Sequence, residues 1–450
     1  MEGEWKTLPL EDCMAAIIDY RGKSPDKTTF GVPLVTAKIV KGGRIEKPEE
    51  FIAEEDFDEW MCRGMPMPGD IVMTTEAPLG EVAQLDGRKV ALAQRVITLR
   101  GKPDVLDNTF LKFLLQSNSV QEEIRSRGTG TTVVGIRQSE LRKVSLTFPP
   151  LAEQKAIAAV LGALDDKIEL NRRMNATLER IAQALFQSWF VDFDPVRAKL
   201  DGRKPVGLDA ATAALFPDSF QDSAVGHIPH GWKVGVLDEL TSFVIGGDWG
   251  ATELTDDETV SCYCIRGADI PSLQSGGVGK MPTRFLKPSS VEKRQLSDGD
   301  LAIEISGGSP TQCTGRPVLA SDALLQNLGQ PLVASNFCRI VKLKSPALSK
   351  FVYLWLRRLY DAGELFQFET GTTGIKNFAF VIFSEKYPLV VPDLRVAEAF
   401  DRAVSPFFTR IQANSQESRT LATLRDTLLP KLLSGDLSVV SLDTEQEALA

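Results

Sequence analysis

The sequence predicts an α+β protein in which two duplicated mixed α/β domains are separated by an antiparallel pair of long coiled-coil helices, related by a pseudo-twofold. Three observations predict it. Leu151 to Phe190 contains no proline and one glycine, Gly162, among strong helix formers. A second stretch near the C-terminus repeats its apolar spacing. Short motifs of the first half also recur, in the same order, in the second.

Residues 1–150 read as the first mixed domain. Pro68-Gly69-Asp70 is a turn signal leading into Ile71-Val72-Met73-Thr74, Val90 to Leu99 reads as a further strand, and Asn108 to Gln116 as a helix. Residues 151–191 form the first long helix. Its apolar positions Ile157, Leu161, Leu164, Ile168, Leu178, Ala182, Leu185 and Trp189 alternate steps of four and three, with Asn171 and Asn175 filling the two seam positions between. That alternation marks a coiled-coil seam, whereas a helix lying on a globular core drifts toward a wider stripe.

Residues 192–230 are rich in Pro, Gly and Asp and read as a mostly irregular connector with one helical island, Asp209 to Leu215. Residues 231–392 form the second mixed domain, with strands over Leu301 to Ile305 and Phe337 to Leu343 and a helix over Leu348 to Leu359. Its kinship with the first is legible. Glu4-Trp5-Lys6 matches Gly231-Trp232-Lys233, Pro68-Gly69-Asp70-Ile71-Val72 matches Asp298-Gly299-Asp300-Leu301-Ala302, and Gly130-Thr131-Thr132 matches Gly371-Thr372-Thr373. So long a repeat unit is a duplicated domain and not a solenoid.

Residues 393–436 form the second long helix and 437–450 a tail. Its seam, Phe400, Val404, Phe407, Ile411, Asn414, Ser418, Leu421, Arg425, Leu428 and Leu432, lies at a constant offset from the first. Paired antiparallel, Asn171 and Asn175 face Asn414 and Ser418, and any other register strands a buried amide. Pro406 is expected to kink this helix or to mark its true start.

At 450 residues, 43% hydrophobic and 25% charged, the composition is that of an ordinary globular protein able to bury two or three cores. No signal peptide opens the chain and no apolar run approaches membrane-spanning length, so a cytoplasmic address with no membrane contact is expected. The net charge of −9 argues against loose nucleic-acid binding. Acid is nevertheless concentrated in Glu46 to Glu59, while Ile124 to Lys143 carries Arg125, Arg127, Arg137, Arg142 and Lys143 against Glu140 alone. Such a cluster reads either as a phosphate-facing surface or as ordinary solvated charge.

Catalytic chemistry finds no foothold. The two histidines, His227 and His230, both lie in the connector, so a Ser-His-Asp or Cys-His arrangement lacks a base in either domain. Gly279-Lys280-Met281 is not a phosphate loop, and Phe148-Pro149-Pro150-Leu151 lacks the leading amide of the amino-methyltransferase motif. Cys262 and Cys264 read as strand residues and not as metal ligands.

Pro149 to Ile157 (PPLAEQKAI), Leu164 to Asn171 (LDDKIELN) and Phe186 to Phe193 (FQSWFVDF) resemble the central conserved region of the specificity subunit of type I restriction-modification systems. Leu428 to Gly435 (LLPKLLSG) is similar to the end of that family's C-terminal helix, whereas Val391-Pro392-Asp393-Leu394-Arg395 departs from the family by lacking Glu-Gln. The resemblance implies two target-recognition domains, each reading half of a split double-stranded DNA sequence. It implies no catalysis by this chain and no cofactor of its own. S-adenosylmethionine, ATP and Mg are expected on the partners, which are two modification (methyltransferase) subunits and the restriction (ATP-dependent translocase and nuclease) subunits.

Base edges are read by Arg, Lys, Asn, Gln, Ser and Thr on loops where Gly permits close backbone approach. Candidates in the first domain are Lys38, Lys41, Arg44, Arg127, Thr129, Thr131 and Thr132. Those in the second are Ser309, Thr311, Gln312, Arg316, Thr372, Thr373 and Lys376. Each Thr reads equally as a turn residue. On the first helix, Val160, Met174, Ile181 and Phe190 flank the seam and are candidates for packing modification-subunit helices. A two-domain protein-binding scaffold without DNA specificity is the alternative.

Overall fold

The computed structural model describes residues 4–307, 312–371 and 375–439. The chain forms two compact units, Met1–Ile168 with Thr420–Ala450, and Glu169–Arg419.

In the first unit a four-stranded antiparallel sheet has the order Met14–Asp19, Val96–Gly101, Ile71–Thr75, Leu79–Gln84. Phe51–Ile52, Val32–Val35 and Ala91–Leu92 form a three-stranded sheet whose last pair is parallel, and Lys6–Pro9 pairs with Ser145–Phe148. Strand periodicity places successive side chains on opposite faces. Accordingly Ile71 and Met73 join one apolar core with Ile97, Leu99, Phe110 and Phe113, while Val72 joins a second with Leu34, Ala83 and Val96. The expected single strand over Val90 to Leu99 is two strands. Ala93 still bonds to Val35 while Arg95 already accepts from Thr75, so the chain changes sheets between them.

The second unit repeats these three sheets in the same strand order. Its four-stranded sheet runs Thr241–Gly246, Cys338–Leu343, Leu301–Glu304, Pro317–Leu319. The three-stranded sheet runs Thr283–Leu286, Val260–Ile265, Leu332–Ala334, again with a parallel last pair, and Lys233–Gly235 pairs with Leu389–Val391. Cys262 and Cys264 are buried in the central strand, where burial pushes their thiols up to about 11 and about 12.

The duplication extends to single atoms. Asp70 Oδ2 accepts from Met67 N at 2.8 Å and Asp300 Oδ2 from Ser297 N at 2.8 Å, each closing a turn on a glycine at positive φ, Gly69 (+86°) and Gly299 (+83°). Each Asp also meets a cation from the neighbouring strand, Arg100 at 2.8 Å and Lys342 at 3.1 Å.

The long helices run Leu151–Phe190 and Leu394–Ser434. Within the first unit Ile157, Ala158 and Leu161 pack with Leu432 in the core, and Asp165 accepts from Arg425 at 2.7 Å and from Lys112. Within the second unit the expected register is realised. Asn414 Nδ2 donates to Asn175 Oδ1 at 2.9 Å, and Asn171 Nδ2 donates to Glu417 at 2.8 Å and to Ser418 Oγ at 3.3 Å. Beyond them Trp189 and Phe190 meet Phe400, with ring centroids 5.5 Å and 4.9 Å apart.

Pro406 neither starts nor ends its helix, which continues through it in both directions. Val396, Ala397, Phe400 and Val404 upstream are buried, so packing outweighs the lost backbone bond. Gln154 explains the departure at Val391 to Arg395. Its amide donates to Val105 O and Pro149 O and accepts from Asp107 N, whereas the corresponding position of the second helix is the fully buried Ala397.

The connector is more ordered than its composition suggests. It holds a helix Asp194–Leu200, a helix Ala210–Ala214 capped by Asp209, and a hairpin of Phe220–Ser223 with Gly226–Pro229. Phe193, Val196, Phe216 and Ile228 anchor it in the second unit's core.

Candidate nucleic-acid interface

In the first unit, Thr129 N donates to Gly135 O at 2.8 Å and Gly135 N to Thr129 O at 3.0 Å, closing the Gly-Thr-Gly-Thr-Thr segment into a loop. The next residue hangs it on the central sheet, since Ile136 N donates to Thr75 O at 3.0 Å. The second unit uses the same attachment. Thr370 pairs with Asn377, and Phe378 N donates to Ile305 O at 2.9 Å, at the end of the strand equivalent to Ile71–Thr75. Gly130 (φ +118°) and Gly371 (φ +122°) make the turns possible. A Cβ on Gly130 would lie 2.1 Å from Val133 O, and one on Gly371 2.9 Å from Ile375 O.

Thr129, Thr131 and Thr132 are all exposed on the first loop. Lys41 and Arg44 are exposed on the hairpin Val40–Lys41 with Arg44–Ile45, and Lys38 is exposed just before it. That hairpin is seated on the same strand pair as the loop, because Gly42 N donates to Glu81 at 2.9 Å and Gly43 bridges to Ala83. Lys41 and Arg44 share Glu46 at 3.7 and 3.8 Å, exposed contacts that a phosphate or a base edge can replace at little cost.

The basic cluster is less basic than its sequence window. Arg127 is held by Glu123 at 3.0 Å and Glu140 at 3.7 Å, Lys143 by Glu140 at 2.7 Å, and Arg142 by Glu11 at 3.5 Å. The hydrogen bond from Lys143, ahead of the other charges, keeps the Glu140 carboxyl below its ordinary range. Arg127 is thereby tied to the helix Asn118–Ser126 beneath the loop through partly exposed contacts. Glu11 and Glu123 lie outside the stretch in which the sequence showed an excess of Arg and Lys.

Arg316 requires a larger correction. It is 8% exposed, clamped by both oxygens of the buried Glu304 (2.6 and 2.8 Å), and donates to Gly267 O. It therefore faces the interior and is not free to reach a base. Lys376 donates to Glu369 at 2.8 Å. Burial alone raises the Glu369 carboxyl, but Lys376 and the amide and hydroxyl of Thr314 outweigh it and hold the group below its ordinary value. Gln312 is exposed. Ser309, Thr311, Thr372 and Thr373 lie outside the described residues.

Two cations beside the first loop were missed. Arg21 donates to Ile136 O at 2.7 Å, and Arg95 reaches Glu76 at 2.8 Å. Neither stands in a basic run, and only the fold brings them to the loop. On the first long helix Val160 and Met174 are half-buried and Ile181 is exposed, with Leu170, absent from the sequence candidates, more exposed still. Phe190 is corrected. At 5% exposure it is enclosed by Phe351, Phe400 and Trp232, so it belongs to the chain's own core.

Among the described residues no cluster of three or more His, Cys, Asp or Glu is placed to hold a metal, and no helix is long and apolar enough to cross a membrane. His227 sits on the exposed connector hairpin, 3.1 Å from Asp222.

The fold is duplicated, and in each unit a loop base is bonded to the same end of the equivalent central strand. Residues 4–180 match the family model of the type I restriction modification DNA specificity domain. The chain is 27% identical over 372 residues to the HindI specificity subunit of Haemophilus influenzae, covering 73% of this chain and 77% of that one. It is 25% identical over 427 residues to the MjaIX specificity subunit of Methanocaldococcus jannaschii, covering 91% and 88%. The crystal structure of a type I restriction-modification S subunit from M. genitalium shares the fold, with a TM-score of 0.51 over 96% of both chains at 17% identity. By family, the chain is a type I restriction-modification specificity subunit.

Proposed function

We propose that this chain is the non-catalytic DNA-recognition subunit of a type I restriction-modification complex, reading a bipartite target with one domain per half-site. The observation that carries this reading is the repeated attachment of the Thr129–Gly135 and Thr370–Asn377 loops to equivalent strand ends. Duplicated domains presenting polar loops from the same place suit two half-sites, and the glycines let each backbone approach a groove closely. Lys38, Lys41, Arg44, Thr129, Thr131 and Thr132 would contact the first half-site. Gln312 and Lys376, with Ser309, Thr311, Thr372 and Thr373, would contact the second.

The domains are taken as 1–150 and 231–392, with the helices 151–191 and 393–436 as spacer and scaffold. Leu170, Met174 and Ile181 offer apolar contacts to two modification subunits. A groove of about 370 Å³ lined by Arg180, Ala184, Phe186, Leu354 and Arg358 continues that surface. S-adenosylmethionine, ATP and Mg belong to the modification and restriction subunits, and the complex works in the cytoplasm.

The test is to express the chain with its modification subunit and map methylated adenines genome-wide. A split motif with unread bases between its halves is expected, and binding to that motif should weaken steeply with salt. A complex that assembles but methylates no defined sequence would instead support a protein-binding scaffold.

A further inference from the structure

The strand rung beside each recognition loop carries chemically opposite residues in the two domains. In the first, Thr75 N donates to Arg95 O at 3.0 Å and Ile136 N donates to Thr75 O at 3.0 Å, so Arg95, Thr75 and the loop base form one continuous hydrogen-bonded ladder. In the second, Ile305 N donates to Phe337 O at 2.8 Å and Phe378 N to Ile305 O at 2.9 Å. Phe337 therefore occupies the place of Arg95. Arg95 has a side chain 54% exposed and paired with Glu76, whose carboxylate borders Gly135 of the loop. Phe337 is 49% exposed, and the residue in the place of Glu76 is Ser306.

An aromatic side chain held half in water at the root of a polar loop does nothing for the core beneath it. Phe337 follows the exposed Asn336, and the fully buried Ser335 and Cys338 on either side of this pair fix the backbone while the ring points away from the packing. In a groove, a guanidinium and an apolar ring read different things. Arg donates bidentately to guanine O6 and N7, and Phe packs against the 5-methyl of thymine.

Resting on the recognition function proposed above, we propose that this rung is a specificity position in both domains: Arg95 reads a guanine in one half-site and Phe337 the methyl group of a thymine in the other. The Arg95–Glu76 pair holds the guanidinium in place until the base edge replaces the carboxylate.

The test begins with the methylome of the intact complex, which fixes the target and independently judges the recognition function. Duplexes are then made in which each thymine of the second half-site is replaced in turn by uracil, deleting only the methyl group. One replacement should weaken binding by the wild-type complex about tenfold. The Phe337→Ala complex should be insensitive to that replacement, and Phe337→Leu should remain sensitive. In methylomes, Arg95→Ala should relax one guanine position of the first half-site, leaving the second half-site and the spacer unchanged. A split motif bound equally well with every thymine replaced, or an unchanged motif in Arg95→Ala, would overturn the assignment while leaving the recognition function standing.

Discussion

Asn414 donates its side-chain amide to Asn175 Oδ1 at 2.9 Å, with both residues almost completely buried between the two long helices of the second unit. Asn175 in turn donates to Ser415 Oγ at 3.0 Å. A shift by one heptad would place these amides against apolar side chains, so the pair fixes the register at a cost in stability. Asn175→Ala should destabilise the chain by about 1–3 kcal/mol, since it strands a buried amide. Replacing both Asn175 and Asn414 by Leu should cost less than the single changes predict. A chemical-denaturation double-mutant cycle measures the coupling, and additive effects would show that the two amides act independently.

The duplicated turn carboxylates should differ in weight. Asp70 is inaccessible and accepts two bonds from Arg100, whereas Asp300 meets the more exposed Lys342 through one contact. Asp70→Asn should therefore cost about 2–4 kcal/mol and Asp300→Asn about 1 kcal/mol. The reverse order in urea titrations would contradict this account of the turns.

Hydrogen bonding from Arg172, and then from Arg173, against an opposing burial effect, lowers the Glu169 carboxyl from 4.5 to about 2. A depressed carboxylate stabilises the folded chain above its unfolded pKa, and that contribution is lost as pH falls from about 4.5 to about 2. The pair is partly solvated, so Glu169→Gln should cost under about 1 kcal/mol at pH 6. The difference between variant and wild type should vanish by about pH 2, followed by denaturation across that range.

Gly130→Ala forces a Cβ onto Val133 O in a loop that carries no core residue. Methylation should lose dependence on the first half-site with the melting temperature almost unchanged. A large drop in stability would make the loop a structural element.

The long helices, the mixed domains and their duplication were legible because they rest on periodicity and on motifs repeated in order. What escaped depends on contacts far apart in sequence. Arg316 looked like a loop cation because Glu304 stands across a strand pair from it, and Phe190 looked like a flanking helix position until Phe351 and Phe400 closed over it. The connector's order comes from irregularly spaced Phe193, Val196, Phe216 and Ile228, which no local period announces. At Pro406 a local rule was overridden by burial along the same helix.

Core and surface positions of the first helix should separate cleanly. Met174→Glu with Ile181→Glu should abolish co-purification with the modification subunit while the circular dichroism and melting of the chain persist. Phe190→Ala should instead lower stability by about 3–5 kcal/mol. Retained assembly in the double variant would remove this face from the partner surface.

Bipartite reading by separable domains is tested most directly by exchange. Residues 231–392 are replaced by the matching domain of a related specificity subunit, and adenine methylation is mapped across the genome of cells carrying the hybrid complex. The second half-site should become that of the donor, with the first half-site unchanged. If both half-sites change together, or neither does, the assignment of one domain to each half-site is wrong.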